Sequence, residues 1–412
     1  MRSTVVIVGA GQAGLAMSRC LTDRGIDHVV LERGEVANSW RHERWDSLRL
    51  LTPNWLSRLP SWHYRGDDPD GFMTATDFAD RLTAYRASFD APVRTGVEVG
   101  SLRTGSDGFE LDTSEGRWCA RAVVVATGPA TVAKVPPSAA LVPSKVAQVT
   151  SLEYRNPGTI PGEGTVLVSG ASASGVQIAD ELRRAGRPVI VAAGEHTRVP
   201  RRYRGMDIHW WMDAIGLLDE RPEDVPDIDR ARRLPALQLV GSTDRRDLDL
   251  ATLASGGVEV VGRLASVDDG HLYFSGSLPN LVASADLKLG RLLDRIDEFA
   301  REHGLDDEVD EADRPAPVQL PRAATRRRHD DIDAIVWATG VRAEHRWIDE
   351  SLLDRYGVLR HDGGRAEVPG LYVLGLPFLR RRKSIFIDGA GIDAPELAVD
   401  VARHVGAVGA RS

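Results

Sequence analysis

Two short glycine-rich segments carry the clearest chemistry of this 412-residue chain. The first, Gly9-Ala10-Gly11-Gln12-Ala13-Gly14, follows a β-branched run and has the spacing G-x-G-x-x-G. Glycines at these three positions allow a tight turn, a close approach of the backbone to a pyrophosphate, and close packing of helix on strand. Glu32 lies 23 residues beyond Gly9, where a carboxylate can accept hydrogen bonds from ribose hydroxyls. The segment therefore predicts a dinucleotide-binding site.

The second segment, Gly170-Ala171-Ser172-Ala173-Ser174-Gly175, keeps the outer glycines and has Ser172 in the middle. Serine is small enough to let the backbone come near a phosphate, and its hydroxyl can donate to it. The residue that matches Glu32 is Ala193, and Arg198 follows five residues later. A missing acid with an arginine nearby predicts a nucleotide with a 2′-phosphate, hence NADPH rather than NADH. The alternative is that this arginine lies on a solvated surface loop.

Apolar runs predict the elements that must position these two turns. Strands are expected over residues 4–8, 28–31, 165–169 and 188–192, with a helix after each glycine motif. Two further buried strands, over 122–126 and 334–338, each end in Thr-Gly. The chain is therefore predicted to be an α/β protein with two Rossmann-like dinucleotide-binding domains. Residues 1–150 and 325–412 would form the first domain, and residues 151–324 the second, inserted into it.

The composition argues against several classes of protein. Hydrophobic residues make up 42% of the chain and charged residues 27%, which excludes an intrinsically disordered protein. The net charge of −8 argues against nucleic acid as a partner. Cys20 and Cys119 are the only cysteines and stand 99 residues apart, so a disulfide reductase with a closely spaced cysteine pair is excluded. The histidines show no metal-ligand spacing, and no metal is predicted.

No apolar run approaches the length of about 18 residues that a membrane span requires. The apolar segment 5–16 resembles a secretory signal only superficially, because three glycines and Gln12 interrupt it. We therefore predict a cytoplasmic protein with no membrane partner.

The motifs together resemble those of the class B flavin monooxygenases, which carry two dinucleotide-binding domains. Supporting segments are Ser39-Trp40-Arg41, Ala126-Thr127-Gly128, Ala338-Thr339-Gly340 and Asp388-Gly389-Ala390-Gly391. The resemblance covers nearly the whole chain and implies FAD in the first domain and NADPH in the second. It departs from the fingerprint F-x-G-x-x-x-H-x-x-x-[WY] at Thr150, where the histidine should stand. A divergent branch of the family is therefore predicted.

The resemblance also implies roles for single residues. Trp40 and Arg41 would pack near FAD, the backbone of Val99 would hold the adenine, and the helix that begins near Asp388 would face the flavin ring. The cofactor-binding residues predicted from the motifs and the resemblance are Gly9, Gly11, Gln12, Ala13, Gly14, Glu32, Arg33, Trp40, Arg41, Val99, Thr127, Gly128, Asp388, Gly170, Ser172, Ser174, Gly175, Arg198, Thr339 and Gly340.

The function implied by the resemblance is an NADPH-consuming, FAD-dependent monooxygenase. It would insert one oxygen atom from O2 into a small organic substrate through a C4a-(hydro)peroxyflavin. Thr52 occupies roughly the place where relatives carry an Asn or Thr over the flavin, so it is the predicted catalytic hydrogen-bond donor. The alternative is an NADPH-dependent flavin reductase, oxidase or electron-transfer flavoprotein without oxygen insertion. N-, S- and Baeyer–Villiger oxygenation stay open, as does a homodimer.

Overall fold

The structure, a computed structural model, describes residues 1–409. Fourteen strands form the two principal sheets of the described residues, and helices alternate with groups of these strands along the chain, the last helix following the last strand. In chain order the strands are β1 (Arg2–Val8), β2 (His28–Glu32), β3 (Val93–Thr95), β4 (Val99–Gly105), β5 (Gly108–Thr113), β6 (Gly116–Val125), β7 (Ala147–Thr150), β8 (Val166–Ser169), β9 (Val189–Ala193), β10 (Glu259–Gly262), β11 (Ala334–Trp337), β12 (His361–Asp362), β13 (Arg365–Ala366) and β14 (Leu371–Val373).

The helices are α1 (Gln12–Thr22), α2 (Asn38–His42), α3 (Ala75–Ala87), α4 (Ala173–Arg184), α5 (Ile208–Ala214), α6 (Ile228–Arg232), α7 (Leu250–Ser255), α8 (Leu278–Glu302) and α9 (Ile387–Gly409). Smaller pairings join Arg58–Leu59 to Trp62–His63, Thr197–Arg198 to Leu237–Gln238, and Arg202–Tyr203 to Met206–Asp207. A three-stranded sheet has His271–Phe274 between Leu264–Asp268 and Arg326–Arg328. No helix within residues 1–409 is both long and apolar enough to cross a membrane.

The first sheet has the order β12-β13-β14-β6-β1-β2-β3, with β4 and β5 attached to β6 as an antiparallel extension. Its centre, from β14 to β3, is parallel. The helices α1 and α9 pack against each other beside this sheet. Leu15 and Met17 of α1 share one core with Leu397 and Val401 of α9. The last helix, α9, therefore belongs to the same structural unit as β1 and α1 at the beginning of the chain.

The second sheet is parallel throughout and has the order β7-β11-β8-β9-β10. Its central strands are buried on both faces, which explains their continuous apolar sequences. Successive residues serve different cores: Val166 and Val168 lie in one cluster and Leu167 in another. The predicted fold, two Rossmann-like units of which the first is interrupted by the second, is confirmed.

The chain crosses between the two sheets after β6 and after β11. These two connections pair with each other, because Val132–Ala133 and Val341–Arg342 form a short antiparallel ladder. The division of domains at residues 150 and 325 stays a prediction. It differs from the hydrogen bonding of the strands, since β7 and β11 both belong to the second sheet. The sheets therefore favour moving both boundaries outward, so that the inserted domain contains β7 and β11.

Candidate functional site

Residues of both glycine turns line a single cavity of about 2080 Å³. Gly9 and Gly11 line it from the first sheet, and Gly170 and Ser172 line it from the second. All four follow the carboxyl end of a central parallel strand, which is where open α/β sheets bind ligands. The two predicted nucleotide sites therefore open into shared space.

The first turn is shaped so that only glycine fits at two of its positions. Gly9 has φ +105°, and a Cβ there would lie 2.6 Å from the carbonyl oxygen of Ala126. A Cβ on Gly14 would lie 1.9 Å from the carbonyl oxygen of Gly9, which brings α1 close to the strand. At Gly11, in contrast, a Cβ would meet no protein atom within 4 Å. The space beside Gly11 is thus open to the cavity and free of atoms of the described residues.

The second turn repeats this geometry. A Cβ on Gly170 would lie 2.2 Å from the carbonyl oxygen of Ala338, and one on Gly175 would lie 2.0 Å from that of Gly170. Ser172 has φ −84° and ψ −174°, against −82° and −172° for Gly11. Serine therefore adopts the same backbone conformation as the glycine that it replaces. Each turn also packs on its own Ala-Thr-Gly segment, which explains why that segment occurs twice.

Glu32 has a second role that its spacing does not reveal. Its side chain accepts a hydrogen bond from the Ala10 amide at 2.7 Å and another from the Gly34 amide at 3.1 Å. Glu32 also lines the cavity, although only 8% of its surface is exposed. The carboxylate thus stabilises the glycine turn and stands beside the space where a ribose would lie.

Most of the predicted cofactor-binding residues come together at this cavity. Trp40 is held there by a hydrogen bond from its Nε1 to Gln12 Oε1 at 3.0 Å. Gly14 and Gly175 lie behind the turns and act through packing. The predicted residues that line the cavity are Gly9, Gly11, Gln12, Ala13, Glu32, Arg33, Trp40, Val99, Thr127, Gly128, Gly170, Ser172, Ser174, Thr339 and Gly340.

Besides Gly14 and Gly175, four predicted residues do not line the cavity: Arg41, Thr52, Asp388 and Arg198. Arg41 turns away from it to pair with Asp80 at 2.6 Å. Thr52 follows Leu50 and Leu51, which do line the cavity, but it is not itself among the lining residues. Asp388 is 2% exposed and its carboxylate is bound by cationic side chains instead. A direct contact of Thr52 with a bound flavin, as predicted, receives no support from this arrangement.

Arg198 corrects the prediction most clearly. Its guanidinium is buried and pairs with Asp249 and Asp286, each at 2.7 Å, and it also donates to the Ala316 carbonyl at 3.0 Å. Burial lowers its pKa, but the two carboxylates more than offset this effect and the pKa is raised. Arg198 lies outside the cavity, and its hydrogen-bonding capacity is used inside the protein. A direct contact of Arg198 with a nucleotide 2′-phosphate, as predicted, therefore receives no support from this arrangement.

Arg263 is the residue that the sequence pattern missed. It follows β10, the neighbour of β9, and its Cδ would be 3.7 Å from a Cβ on Gly194, which comes just after β9. Arg263 and Gly194 both line the cavity, and the arginine side chain is exposed. In the sequence, Arg263 is marked only by its position directly after an apolar strand. This position points to the cavity only when it is known that β10 lies beside β9.

Neither cysteine of the chain is placed for redox chemistry at this site. Cys20 is buried on α1, and burial raises the pKa of its thiol to about 11. Cys119 lies on β6, and neither residue lines the cavity. Because the thiolate is the reactive form, Cys20 is chemically inert in this environment.

Comparison with known proteins places the chain in a family. Residues 6–207 match the family model described as pyridine nucleotide-disulphide oxidoreductase. The chain is 32% identical to an uncharacterized CzcO-like oxidoreductase of Geobacillus kaustophilus, over 97% of this chain and 98% of that protein. It is 27% identical to the probable indole-3-pyruvate monooxygenase YUCCA9 of Arabidopsis thaliana, over 96% of this chain and 88% of that protein. The chain belongs to the class B flavin monooxygenase-like family.

The fold of this flavin monooxygenase-like protein agrees with a solved relative. A substituted flavin monooxygenase from Stenotrophomonas maltophilia superposes with a TM-score of 0.68 at 20% identity, over 98% of both chains, which shows a shared fold. The predicted family, fold class and enzyme class are confirmed: the protein is a flavin-dependent oxidoreductase. Family membership also supports FAD and NADPH as its cofactors.

Proposed function

We propose that this protein is a monooxygenase that oxidises NADPH and inserts one atom of O2 into a small organic substrate by way of an oxygen adduct of FAD. The observation that carries the proposal is the single cavity into which both dinucleotide turns open. FAD held at the first turn and NADPH held at the second would supply the redox chemistry there: two electrons and a proton from NADPH, with a further proton, would release the second oxygen atom of O2 as water. The protein supplies binding, orientation and exclusion of water.

The residues of the first turn fit FAD. The open space beside Gly11 suits a pyrophosphate, and the amino end of α1 supplies amides and a favourable dipole. Glu32 would accept hydrogen bonds from the adenosine ribose. Trp45, Leu50 and Leu376 give the shared cavity an apolar wall suited to a flavin ring and an organic substrate.

The second turn would bind NADPH, with Ser172 at the pyrophosphate and Arg263 in the place first assigned to Arg198. Arg263 is exposed, lines the cavity beside Gly194, and has no ion-pair partner among the described residues. A guanidinium in this position matches the oxygen atoms of a 2′-phosphate. The alternative function, NADPH oxidation by the flavin without oxygen insertion, requires the same two turns and differs only in the fate of O2.

The fate of O2 tests this proposal. Purified FAD-loaded protein is supplied with NADPH and 18O2 together with a thioether, an amine and a ketone as separate probes. We expect at least one probe to gain one labelled oxygen atom, with NADPH consumed in proportion. Quantitative conversion of O2 to hydrogen peroxide with no labelled product from any probe contradicts oxygen insertion and favours the oxidase alternative.

We predict that Arg263→Met lowers the preference for NADPH over NADH about tenfold or more, because two charge-assisted hydrogen bonds to the 2′-phosphate are lost. The ratio of kcat/KM values for the two nucleotides measures this preference. Arg295→Met on α8 is the matched control, since Arg295 is exposed and lies outside the cavity. An unchanged ratio in the Arg263 variant would show that another group recognises the phosphate.

A further inference from the structure

A cationic side chain without a counterion lies on the cavity wall far from either glycine motif in the sequence. Arg232 ends α6 and lines the cavity. Within residues 1–409 its buried Nε makes no hydrogen bond, and its Nη2 makes only a long contact of 3.4 Å to the Phe378 carbonyl. Among the described residues no carboxylate forms an ion pair with it. A partly buried guanidinium in this state lacks the compensation that such a charge requires.

Two histidines, His361 and His345, also have a buried nitrogen atom without a partner among the described residues, but only His361 lines the cavity. His361 lines the cavity, and its Nδ1 is buried without a hydrogen bond. His345 is fully buried; its Nδ1 accepts from the Leu359 amide at 3.0 Å, so its proton lies on Nε2, which has no partner in the described part of the chain. Burial lowers the pKa of each histidine to about 4, and the charge of Arg232 reinforces this effect at His361. Both rings are therefore neutral near pH 7.

The segment from Phe378 to Arg380 contacts both Arg232 and the turn that follows His361. Arg232 contacts the carbonyl of Phe378, and Arg380, two residues later, donates to the Gly363 carbonyl at 2.8 Å. Gly363 stands two residues after His361. We call the cluster of Arg232, His345 and His361 the Arg232 corner. Two of its three buried nitrogens without partners in residues 1–409, those of Arg232 and His361, belong to residues that line the cavity, whereas His345 is fully buried and does not line it.

The chemistry of this corner suits a carboxylate. A guanidinium fork pairs with two coplanar oxygens, and the neutral ring of His361, which lines the cavity, can donate a further hydrogen bond. A cofactor phosphate is the other possible source of anionic oxygens. However, Asp354 and Asp362 also line this part of the cavity, and their charge opposes a dianionic phosphate more than a monoanionic carboxylate. The glycine turns already offer amides for the phosphates.

We propose that the Arg232 corner binds a carboxylate group of the organic substrate. The inference rests on the proposed function, because it assigns the anion to the substrate of that reaction. It makes the substrate an organic acid, held at its carboxylate while another part of the molecule is exposed to the flavin.

Binding of a carboxylate and its neutral amide tests the proposal without any turnover. Phenylacetate and phenylacetamide are titrated by calorimetry into FAD-loaded protein, with and without NADP⁺. We expect phenylacetate to bind about tenfold more tightly than the amide. Arg232→Gln should abolish this preference. Arg230→Gln, the same charge change on an exposed residue of α6 outside the cavity, should change it less than about twofold. His361→Phe, which should reduce the preference too, replaces the arginine variant if that protein does not fold.

Two results would overturn the assignment. A lack of preference for the carboxylate, including no binding of either probe, would mean that the corner holds water only. A loss of NADP⁺ affinity in Arg232→Gln of about tenfold, with phenylacetate binding unchanged, would assign the corner to a cofactor phosphate. Because neither probe has to be oxygenated, these outcomes are independent of the oxygen-insertion experiment.

Discussion

Replacing Gly14 by alanine is expected to prevent stable folding of the first nucleotide-binding unit, whereas the same change at Gly11 should affect only its ligand. A Cβ at residue 14 would lie 1.9 Å from the Gly9 carbonyl oxygen, and both groups belong to a tightly packed helix–strand contact. Overpacking of a core costs about 1–3 kcal/mol and sometimes more, and collision with backbone belongs to the upper end. We therefore expect Gly14→Ala to lower the free energy of unfolding by at least about 3 kcal/mol.

Gly11→Ala should leave the stability of the cofactor-free protein unchanged within about 0.5 kcal/mol, because its methyl group meets no protein atom within 4 Å. The same methyl group would enter space assigned to the pyrophosphate without the hydroxyl donor that Ser172 offers at the matching position, so FAD affinity should fall about tenfold or more. Urea unfolding of the apo-protein and fluorescence titration with FAD measure the two effects. Gly290→Ala in α8, where a Cβ also meets no atom within 4 Å, is the control and should change neither quantity adversely. A stable Gly14→Ala protein would contradict the packing assigned to this turn.

Lys383→Met is expected to lower the free energy of unfolding by about 3–5 kcal/mol, because it leaves a buried carboxylate short of a partner. Lys383 is 2% exposed, and its Nζ lies 3.1 Å from Asp388, 3.2 Å from Asp213 and 3.1 Å from Asp219. Burial lowers the pKa of Lys383, but these three carboxylates offset this effect and raise it. Asp388 is equally buried and keeps only Arg58 as a cationic partner after the substitution.

The Lys383 cluster joins the beginning of α9, in the first unit, to residues 213–219 of the inserted segment. Loss of this link should therefore also weaken FAD binding through the position of α9. Lys288→Met provides the matched control: Lys288 pairs with Glu195 at 2.8 Å at the surface, and such a pair contributes about 0–1 kcal/mol. Denaturant midpoints and slopes of both variants give the comparison. Equal, small losses in the two proteins would show that the buried cluster adds nothing to stability.

The glycine turns were predictable from sequence because their determinants are local. The spacing of Gly9, Gly11 and Gly14 fixes a strand, a turn and a helix within a short segment, and the structure places them there. That Ser172 keeps the turn in place of the middle glycine was predictable for the same reason, because the position needs only a backbone conformation that serine can adopt. Repetition of the unit then predicted two sheets and the interrupted order of the chain.

Contacts between residues that are distant in the sequence could not be predicted from it. Arg198 was assigned to a phosphate from its distance to a strand end, but Asp249 and Asp286, which neutralise it, stand 51 and 88 residues away. Arg263 required knowledge that β10 lies beside β9. The burial of Asp388 depends on Lys383 and on Arg58, 330 residues away. In each case, whether the side chain is free to contact a ligand depends on residues that are distant in the sequence, and the spacing of a motif gives no information about them.

The reaction of the reduced protein with O2 tests the monooxygenase proposal most directly. FAD-loaded protein is reduced with NADPH, kept in complex with NADP⁺, and mixed rapidly with O2 while absorbance is followed. We predict a transient near-ultraviolet band of an oxygen adduct of the flavin before the oxidised spectrum returns. Direct return of oxidised flavin with one equivalent of hydrogen peroxide, and no such band with or without substrate probes, would contradict the proposal.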